Sequence, residues 1–541
     1  MKIGIGQINT KIGDFSANAL KIENACAKLK EMGADFAVFP ELSLCGYSPR
    51  DYLLYADFVA KAKEELESLA KRIAIPAIVG SIRKSHLNDY VYNSAFWLEN
   101  GEVKCIADKV LLPTYGIFDE GRTYIEGERV ENFIEFKSKK IAITICEDIW
   151  SLDFVESAKA YAKPYPLDLI EAADVLLNIS ASLWTKQNYQ NRAKLLPEVA
   201  KKLKSKFVFC NLVGSNDESV FDGHSSVFDE NGNLLLELNN FQEDFRVIDL
   251  DEASSVEPRA FDEFGDLQKA LEMSIRDFVR KSGFSKVLLG LSGGIDSALV
   301  ATLAVGALGK ENVMGISLPS KISSEHSKDD AKALADNLGI KFDTIAIADV
   351  VESFEKSLKP LFGDLPRSVA EENLQARARG TILMGVSNKL SYMLLTTGNK
   401  SESAVGYCTL YGDMCGSYAP IADVYKTDVY SLCRYINRNG EVVPQNTIDK
   451  PPSAELSPNQ TDQDSLPDYD TLDAVLKLYI EQRQSASQII ERGFKEEVVR
   501  DVIAKVLRNE FKRRQSAVTP RLTEVSFGAG RRVPIVYKSD I

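Results

Sequence analysis

The segment 286–297, KVLLGLSGGIDS, constrains the fold of this chain more than any other part of the sequence. A short apolar run bounded by glycine is typical of a strand in a parallel sheet that is covered on both faces. Gly293 and Gly294 carry no Cβ, so the backbone N–H groups of the turn can approach a ligand closely. The apolar helix that follows directs its positive end at the same point. The sequence therefore predicts a strand, a tight turn and a helix that together form an anion site.

Two polar side chains on the first turn of this helix extend the prediction. Asp296 can hold a magnesium ion and the Ser297 hydroxyl can bond a phosphate oxygen. The segment is neither a Walker A loop, because no Lys-Ser/Thr closes it, nor a G-x-G-x-x-G motif. Ser-Gly-Gly-Ile-Asp-Ser resembles the pyrophosphate loop of the ATP pyrophosphatase superfamily, whose members split ATP to activate a carbonyl. The alternative is a glycine-rich β-to-α turn without a ligand.

Length and composition set the outer limits of the function. The 541 residues exceed what one ordinary core holds, so two domains are expected. A net charge of −13 argues against a general nucleic-acid partner. The sequence shows no apolar run of the roughly 18 residues that cross a membrane, and its start is typical of a strand rather than a signal peptide. We expect a cytoplasmic protein that acts on small molecules, without a nucleic-acid or membrane partner.

Cysteine and histidine usage narrows the chemistry further. The eight cysteines form no C-x-x-C pair, which argues against a zinc site and a disulfide scaffold and favours free thiols in a reducing cytosol. Only three histidines are present, at 86, 224 and 326. Acid–base chemistry is therefore expected to rest on Glu and Lys side chains.

The first half of the chain alternates strands with helices. Residues 229–232 join the paired segments 225–228 and 234–237, which is a hairpin signal. A layered α/β sandwich with a partly antiparallel sheet accounts for this pattern. The pattern predicts helices at 18–32 and 64–72, and strands at 3–8, 35–39, 77–81, 93–98, 140–145, 175–179 and 206–211.

Three predicted strand ends in this half carry reactive side chains. Glu41, Lys109 and Cys146 together make a workable amidase, in which the carboxylate takes the thiol proton and the thiolate attacks an amide carbon. The ammonium stabilises the oxyanion and lowers the thiol pKa. Taken singly, each residue has a plainer interpretation, since a cysteine that ends an apolar strand is more often a small core residue.

The sequence segments around these residues, at 40–47, 112–120 and 145–150, resemble the nitrilase family. The resemblance extends over residues 1–250. The resemblance implies an α-β-β-α sandwich in which Glu41 is the general base, Lys109 stabilises the oxyanion and Cys146 is the nucleophile. It also implies a supporting carboxylate and a glutamine site, formed by Glu120 and by Tyr115, Ser180, Lys186 and, more loosely, Glu147.

Residues 251–266 are charged and unpatterned, and we interpret them as a linker to a second domain at 267–541. A helix is predicted at 267–282. Strands at 287–291, 313–318 and 342–347 enclose the helix after the pyrophosphate loop and a helix at 329–338 that Gly339 ends. This βαβαβ order predicts a Rossmann-like parallel sheet with ligand at the carboxyl ends of its strands.

Residues 436–468 are the longest irregular stretch and are expected to form a mobile loop over the site. The segment 353–370 matches no expected part.

Five segments of the second half, at 292–297, 372–377, 397–402, 409–413 and 450–456, resemble NAD synthetases. With the nitrilase-type half in front, the chain is similar to the glutamine-dependent NAD⁺ synthetase family. The resemblance implies ATP-dependent amidation of deamido-NAD⁺ through an adenylated intermediate, Mg²⁺, a protected path for ammonia and a homo-oligomer. It implies that ATP contacts Gly290, Leu291, Ser292, Gly293, Gly294, Ile295, Asp296, Ser297 and Thr397. It implies that deamido-NAD⁺ contacts Asn373, Glu402 and Lys512, a phosphate Lys450, and the metal Asp296 and Glu402.

Two other functions are consistent with parts of the pattern. A different ATP-pyrophosphatase amidotransferase would activate another acceptor, such as a nucleotide base or an amino-acid carboxylate, and the string at 397–402 argues against it. A stand-alone amidase with a nucleotide-binding regulatory module would hydrolyse amides without ATP turnover. That interpretation leaves Asp296 without a role.

Overall fold

The computed structural model describes residues 1–86, 89–152, 161–458 and 460–537. The chain divides into two compact units, Met1–Phe261 and Asp262–Ile541. In the described parts of the chain, no helix combines the length and the apolar character that crossing a bilayer requires.

In the described part of the first unit, strands outnumber helices. Its helices are α1 (Phe15–Glu31), α2 (Ala56–Ala70) and α3 (Lys186–Leu203). Its strands are β1 (Lys2–Gln7), β2 (Phe36–Val38), β3 (Ala77–Lys84), β4 (Val91–Glu99), β5 (Glu102–Asp108), β6 (Phe133–Phe136), β7 (Lys139–Ile145), β8 (Val175–Ser180), β9 (Lys206–Asn211), β10 (Val213–Asn216), β11 (Ser219–Asp222), β12 (Ser226–Phe228), β13 (Leu234–Glu237) and β14 (Asp244–Asp249).

Twelve of these strands form two six-stranded sheets, in the orders β14-β1-β2-β3-β4-β5 and β13-β12-β9-β8-β7-β6, and β10 pairs with β11 separately. The central pairs β1/β2, β2/β3, β7/β8 and β8/β9 are parallel, and the outer pairs are antiparallel. Strand β8 is buried along its whole length, as the apolar run VLLNIS predicts for a strand covered on both faces.

Three apolar clusters define the layers of this unit. Ile5 and Val38 of the first sheet pack with Ile143 and Val208 of the second between the two sheets. Helices α1 and α2 cover the outer face of the first sheet, and α3 covers the outer face of the second. The expected α-β-β-α sandwich is confirmed.

The second unit combines one small sheet with many helices. Its strands are β15 (Val287–Gly290), β16 (Val313–Ser317), β17 (Lys341–Thr344) and β18 (Met393–Leu394). Its helices are α4 (Glu263–Lys281), α5 (Ile295–Leu308), α6 (Glu325–Leu338), α7 (Ala348–Phe362), α8 (Val369–Leu390), α9 (Lys400–Val405), α10 (Lys426–Ile436), α11 (Gln445–Asp449), α12 (Tyr469–Leu476), α13 (Ala486–Glu491), α14 (Glu496–Arg508) and α15 (Glu510–Arg513).

The sheet has the order β17-β16-β15-β18 and all its pairs are parallel. Helix α5 follows β15 and is apolar on almost every side, which is typical of a helix buried in a core. The expected Rossmann-like parallel sheet is confirmed. Because the strands are parallel, their carboxyl ends meet at one edge of the sheet, where the 292–297 loop lies.

The structure differs from the sequence-based expectation at the start of α4. The helix begins at Glu263, inside the stretch 251–266 that we interpreted as a linker. The side chain of Asp262 caps it by accepting a hydrogen bond from Gly265 N at 3.1 Å. Two acidic residues of that stretch, Glu263 and Asp266, lie on the first turn of α4, where they stabilise the positive end of the helix. The unassigned segment 353–370 holds most of α7 and the start of α8.

Candidate active sites

The three reactive side chains of the first unit follow three different strands. Glu41 lies after β2, Lys109 directly follows β5, and Cys146 directly follows β7. The chain passes very close to Gly80 beside Glu41, where a Cβ would lie 2.4 Å from Leu42 N. A side chain at position 80 would therefore displace the backbone that carries the carboxylate.

Lys109 sits between two carboxylates and is fully buried. Its Nζ lies 2.8 Å from Glu41 Oε1 and 2.9 Å from Glu120 Oε1. These carboxylates raise the pKa of Lys109 well above its usual range in spite of burial, which lowers it. The ammonium is therefore held as a fixed positive charge in a site of low dielectric.

Glu41 is held by donors from three directions. Besides Lys109, its Oε1 accepts from Asn93 Nδ2 at 2.6 Å, and its Oε2 accepts from Ala181 N at 2.8 Å. A carboxylate oxygen has two lone pairs, so Oε2 can accept a further proton donor. This geometry suits a base whose position is set before the substrate arrives.

Glu120 lies on the other side of Lys109. Its Oε1 also accepts from the hydroxyl of Tyr47 at 2.8 Å, while the buried Oε2 has no hydrogen-bond partner in the described part of the chain. Burial raises the pKa of Glu120 although Lys109 opposes the shift. A protonated Glu120 leaves Lys109 and Glu41 as the net-neutral ion pair of this cluster.

Cys146 begins a 3-10 turn, Cys146–Ile149, with a backbone φ of +47°. Burial raises the pKa of the thiol well above its usual range, the charge of Glu41 adds to the shift, and Lys109 opposes it. The thiol is therefore protonated at neutral pH and needs a base before it can attack. Asp148 fixes the turn, since its carboxylate accepts from Ile145 N and from Val110 N and Leu111 N.

A second carboxylate, Glu147, lies beside the nucleophile. It accepts hydrogen bonds from the hydroxyls of Tyr115 at 3.0 Å and Tyr161 at 3.1 Å. Burial raises its pKa to about 7, and the two hydroxyls partly offset the shift. The ring of Tyr115 is 41% exposed while its hydroxyl points inward to Glu147. The pair forms a polar wall that reaches from solvent toward Cys146.

The two other residues expected to contact glutamine lie on β8 and α3. Ser180 ends β8, is fully buried, and donates its hydroxyl to Asn178 Oδ1 at 2.6 Å. Asn178 Nδ2 in turn lies 3.4 Å from Cys146 O. Lys186 is the first residue of α3 and is exposed. Their roles toward a substrate stay predictions.

In the second unit a cavity of about 430 Å³ opens at the carboxyl ends of the strands. It is bounded by the ends of β15 and β16, by α8 and by the segment 450–456. Gly293, which was also assigned to ATP, is not among the described residues that line the cavity. The cavity gathers the other residues that the sequence assigned to ATP, to deamido-NAD⁺, to a phosphate or to a metal, namely Gly290, Leu291, Ser292, Gly294, Ile295, Asp296, Ser297, Asn373, Thr397, Glu402, Lys450 and Lys512.

The turn at 292–297 needs its glycine for two reasons. Gly293 has a φ of +81°, which side chains rarely adopt, and a Cβ there would lie 2.3 Å from Ser327 O. The Ser297 hydroxyl donates to Gly294 O at 2.9 Å, and Ser292 Oγ accepts from Gly294 N at 3.1 Å. These bonds hold the loop open toward the cavity without a ligand.

Three charged side chains meet in front of this loop. Lys426 Nζ lies 2.5 Å from Asp296 Oδ2 and 3.2 Å from Glu402 Oε1. Asn399 Nδ2 donates to Asp296 Oδ1 at 2.9 Å, and Asn399 Oδ1 caps α9 by accepting from Glu402 N. Burial and the charge of Asp296 raise the pKa of Glu402, and Lys426 opposes this shift.

Asp296 and Glu402 offer the hard oxygen donors that Mg²⁺ prefers. In the described residues no group of three or more His, Cys, Asp or Glu side chains could hold a metal by itself. Two carboxylates beside a loop that is predicted to bind phosphate match the usual binding of Mg²⁺, which takes its other ligands from substrate phosphates and water. The donor set therefore fits Mg²⁺, with the ammonium of Lys426 between the two carboxylates.

The segment 436–468, expected to be irregular and mobile, is partly ordered by specific contacts. It contains α11, and residue 459 lies outside the described residues. Lys450 Nζ pairs with Asp330 at 2.8 Å, and Glu455 Oε1 accepts from Ser327 Oγ at 2.6 Å. Gln375 Nε2 donates to Leu456 O at 2.9 Å. The segment is thus held against α6 and α8 along the cavity.

Two residues that were predicted to contact deamido-NAD⁺ form hydrogen bonds with other parts of the protein. Asn373 Oδ1 accepts from Thr409 Oγ1 at 2.6 Å. Lys512 Nζ donates to the carbonyl oxygens of Gly406 and Cys408, both at 2.8 Å. Lys512 therefore orders the cavity wall at 406–408 before any substrate is bound.

Sequence reasoning missed two basic residues of this cavity. Lys426 begins α10, and its spacing gives no local sign that it reaches Asp296, which lies 130 positions earlier. Arg379 lies on α8, whose sequence EENLQARAR at 371–379 has mixed charge, and the structure turns it inward, where it donates to Leu318 O at 3.0 Å. Burial lowers the pKa of Arg379. The charge pattern of α8 was the available signal for Arg379.

Comparison with known proteins gives a consistent picture over the whole chain. Residues 2–259 match the carbon-nitrogen hydrolase family and residues 267–516 match the NAD synthase family. The chain is 44% identical to the glutamine-dependent NAD(+) synthetase of Synechocystis sp., with 98% of each sequence covered. It is 41% identical to that of Acinetobacter baylyi, covering 99% of the chain and 98% of the relative.

A solved structure agrees with these matches. The glutamine-dependent NAD⁺ synthetase from Acinetobacter baumannii in complex with ADP has a TM-score of 0.77 and 39% identity to this chain. The alignment covers 99% of this chain and 98% of that one.

Proposed function

Because the chain belongs to the family of glutamine-dependent NAD⁺ synthetases, we infer that it amidates deamido-NAD⁺ to NAD⁺ with glutamine as the nitrogen donor. ATP is consumed as AMP and pyrophosphate. The observation that supports this most is that one cavity is lined both by the 292–297 loop, which carries Asp296, and by Glu402. A separate unit buries Lys109 between Glu41 and Glu120.

In the first unit Glu41 takes the proton of the Cys146 thiol, and the thiolate attacks the amide carbon of glutamine. Lys109 stabilises the oxyanion that forms. The proton moves to the departing nitrogen, ammonia leaves, and a thioester remains on Cys146. Water activated by Glu41 then hydrolyses the thioester and releases glutamate. The Cys146 thiol is protonated and Glu41 is already held in position, so transfer of the thiol proton to Glu41 comes before the attack on the amide.

In the second unit the nicotinate carboxylate of deamido-NAD⁺ attacks the α-phosphorus of ATP, and pyrophosphate leaves. The backbone N–H groups of the 292–297 loop and Lys426 face the phosphate charge. Ammonia then attacks the adenylated carbonyl and displaces AMP. When bound by Asp296 and Glu402, Mg²⁺ would neutralise charge on the departing pyrophosphate. Thr397 would contact ATP, and Asn373 and Lys512 would hold deamido-NAD⁺.

Three finer features belong to the same proposal. The enzyme acts in the cytoplasm, where its substrates and a reducing environment for eight cysteines coincide. Ammonia moves between the sites by a path protected from bulk water, because it would be protonated outside. The enzyme is a homo-oligomer, which the exposed apolar residues Leu361 and Leu365 support, with 81 and 74% exposure.

The proposed reaction is tested by supplying ATP, Mg²⁺ and deamido-NAD⁺ with glutamine or with ammonium. NAD⁺, AMP and pyrophosphate should form in equal amounts with either nitrogen source. Absence of NAD⁺ with both nitrogen sources would show that the activated acceptor is another molecule. Glutamate release without any ATP turnover would favour an amidase with a regulatory module.

Glu147 gives the glutaminase half a pH signature. We propose that its carboxylate, presented by Tyr115 and Tyr161, binds the α-ammonium of glutamine. Since its pKa is about 7, the carboxylate loses its charge as the pH falls below that value. The KM for glutamine should therefore rise by about tenfold per pH unit between pH 6 and 5 while the synthetase reaction with ammonium follows a different profile.

Glu147→Gln should raise the KM for glutamine at pH 8 and abolish this pH dependence. Glu135→Gln is the matched control, because Glu135 is exposed on β6 and should leave both unchanged. A variant that keeps the pH dependence of KM would assign the titration to another group.

A further inference from the structure

Helix α9 is a short helix that carries two side chains toward the cavity and two away from it. Asn399, its cap, and Glu402 meet Asp296 and Lys426 at the candidate synthetase site. Lys400 and Ser401, between them, are fully buried. An isolated helix of six residues is unstable, so tertiary contacts must set the position of α9.

Lys400 makes the strongest of these contacts. Its Nζ lies 2.9 Å from Asp423 Oδ1 and donates to Glu481 Oε1 at 2.9 Å. It also donates to Thr523 Oγ1 at 2.5 Å and to Val525 O at 2.9 Å. A buried ammonium with this many oxygen partners is expensive to move, because each displaced contact leaves a buried charge or dipole unpaired.

Two of these partners belong to a segment near the end of the chain, residues 522–525. Asp423 holds the segment through its backbone, since Oδ2 accepts from Leu522 N at 2.8 Å and from Thr523 N at 2.9 Å. The Thr523 hydroxyl donates to Asp423 while it accepts from Lys400. The segment lies beyond residues 267–516, the part of the chain that matches the NAD synthase family.

We propose that the segment 522–525 is a positioning element of the synthetase site, which fixes the start of α9 through Lys400 so that Asn399 and Glu402 face Asp296. Among the described residues, the side-chain hydrogen bonds of Thr523 go to Lys400 and Asp423, and neither of these residues lines the cavity. The inference rests on the proposed synthetase reaction, since Glu402 and Asp296 are its candidate metal ligands. Residues outside the matched region thus contribute to the rate of the reaction.

Thr523→Val tests this role, because valine keeps the shape of threonine and removes the hydroxyl between Lys400 and Asp423. The rate of NAD⁺ formation is measured with ATP, Mg²⁺, deamido-NAD⁺ and saturating ammonium. We expect kcat to fall about tenfold while the KM for ATP stays within about twofold. Thr523→Ser retains the hydroxyl and should restore kcat. Thr519→Val is the matched control just before the segment, because the hydrogen bond that the structure describes for its hydroxyl goes to Pro520 O.

A double-mutant cycle separates positioning from general stability. Asn399→Ser keeps a good helix cap but is too short to reach Asp296, so it removes one of the two contacts at the site through which Thr523 is inferred to act. Thr523→Val should then lower kcat by clearly less than about tenfold in the Asn399→Ser background. Multiplying effects, or a Thr523→Val variant that lowers only the unfolding temperature, would overturn the inference. Absence of NAD⁺ from the unmutated protein would instead overturn the proposed function.

Discussion

Replacing Cys146 by alanine is expected to abolish NAD⁺ formation from glutamine and to leave formation from ammonium intact. The loss should reach at least about 10³-fold, because no other group can form the thioester. Cys146 is the thiol that the charges of both Glu41 and Lys109 act on. The ammonium reaction needs only the second unit, whose cavity is lined by residues from Gly290 onward. NAD⁺ is measured with each nitrogen source in turn.

Cys210→Ala is the matched control for this experiment. Cys210 is also buried in the same core, and burial raises the pKa of its thiol, but it lies on β9 without the ion pair beside it. Activity with both nitrogen sources in Cys146→Ala would show that Cys146 is a core thiol. Loss with both in a folded variant would show that the second unit depends on the integrity of this turn.

Asp296→Asn is expected to stop NAD⁺ formation with both glutamine and ammonium, by about 10³-fold in kcat. The substitution keeps the size of the side chain and removes a charge that faces Lys426 at 2.5 Å. It takes away one of two carboxylates that could hold Mg²⁺ and leaves the Lys426 ammonium with Glu402 as its remaining carboxylate partner. Pyrophosphate release is the direct readout, because it reports the activation step before ammonia is needed.

Asp343→Asn serves as its control, since Asp343 belongs to the same unit but lies exposed on strand β17. Glutamine hydrolysis should persist in Asp296→Asn, because the Cys146 site belongs to the other unit. Pyrophosphate release at the unmutated rate would remove Asp296 from the activation step. It would also favour a nucleotide site with another role.

Local signals carried much of the prediction of the fold. Strand β8 was predicted from its apolar run and the 226–237 hairpin from its turn residues, because both features act over a few neighbouring residues. The predicted start of α4 was wrong for the same reason. A charged helix start and a charged linker look alike until the capping bond between Asp262 and Gly265 is seen.

The candidate sites show a similar division. The turn at Gly293 and the reactive side chains at strand ends were visible in sequence, since a motif specifies its own backbone and chemistry. The donors that hold Glu41 were not, because Ala181 lies 140 positions away and contributes only its backbone N–H. Such a contact leaves no trace in residue type.

The sequence by itself determined the layered sandwich, the parallel sheet and the chemistry available at Cys146 and Asp296, because periodicity and motif act within short segments. Tertiary structure alone decided which distant charges meet those residues. Lys426 between Asp296 and Glu402, and Lys400 anchored by Thr523, depend on segments that approach only after folding. Long-range electrostatics in a buried site follows the path of the chain in space, which no local pattern of residues encodes.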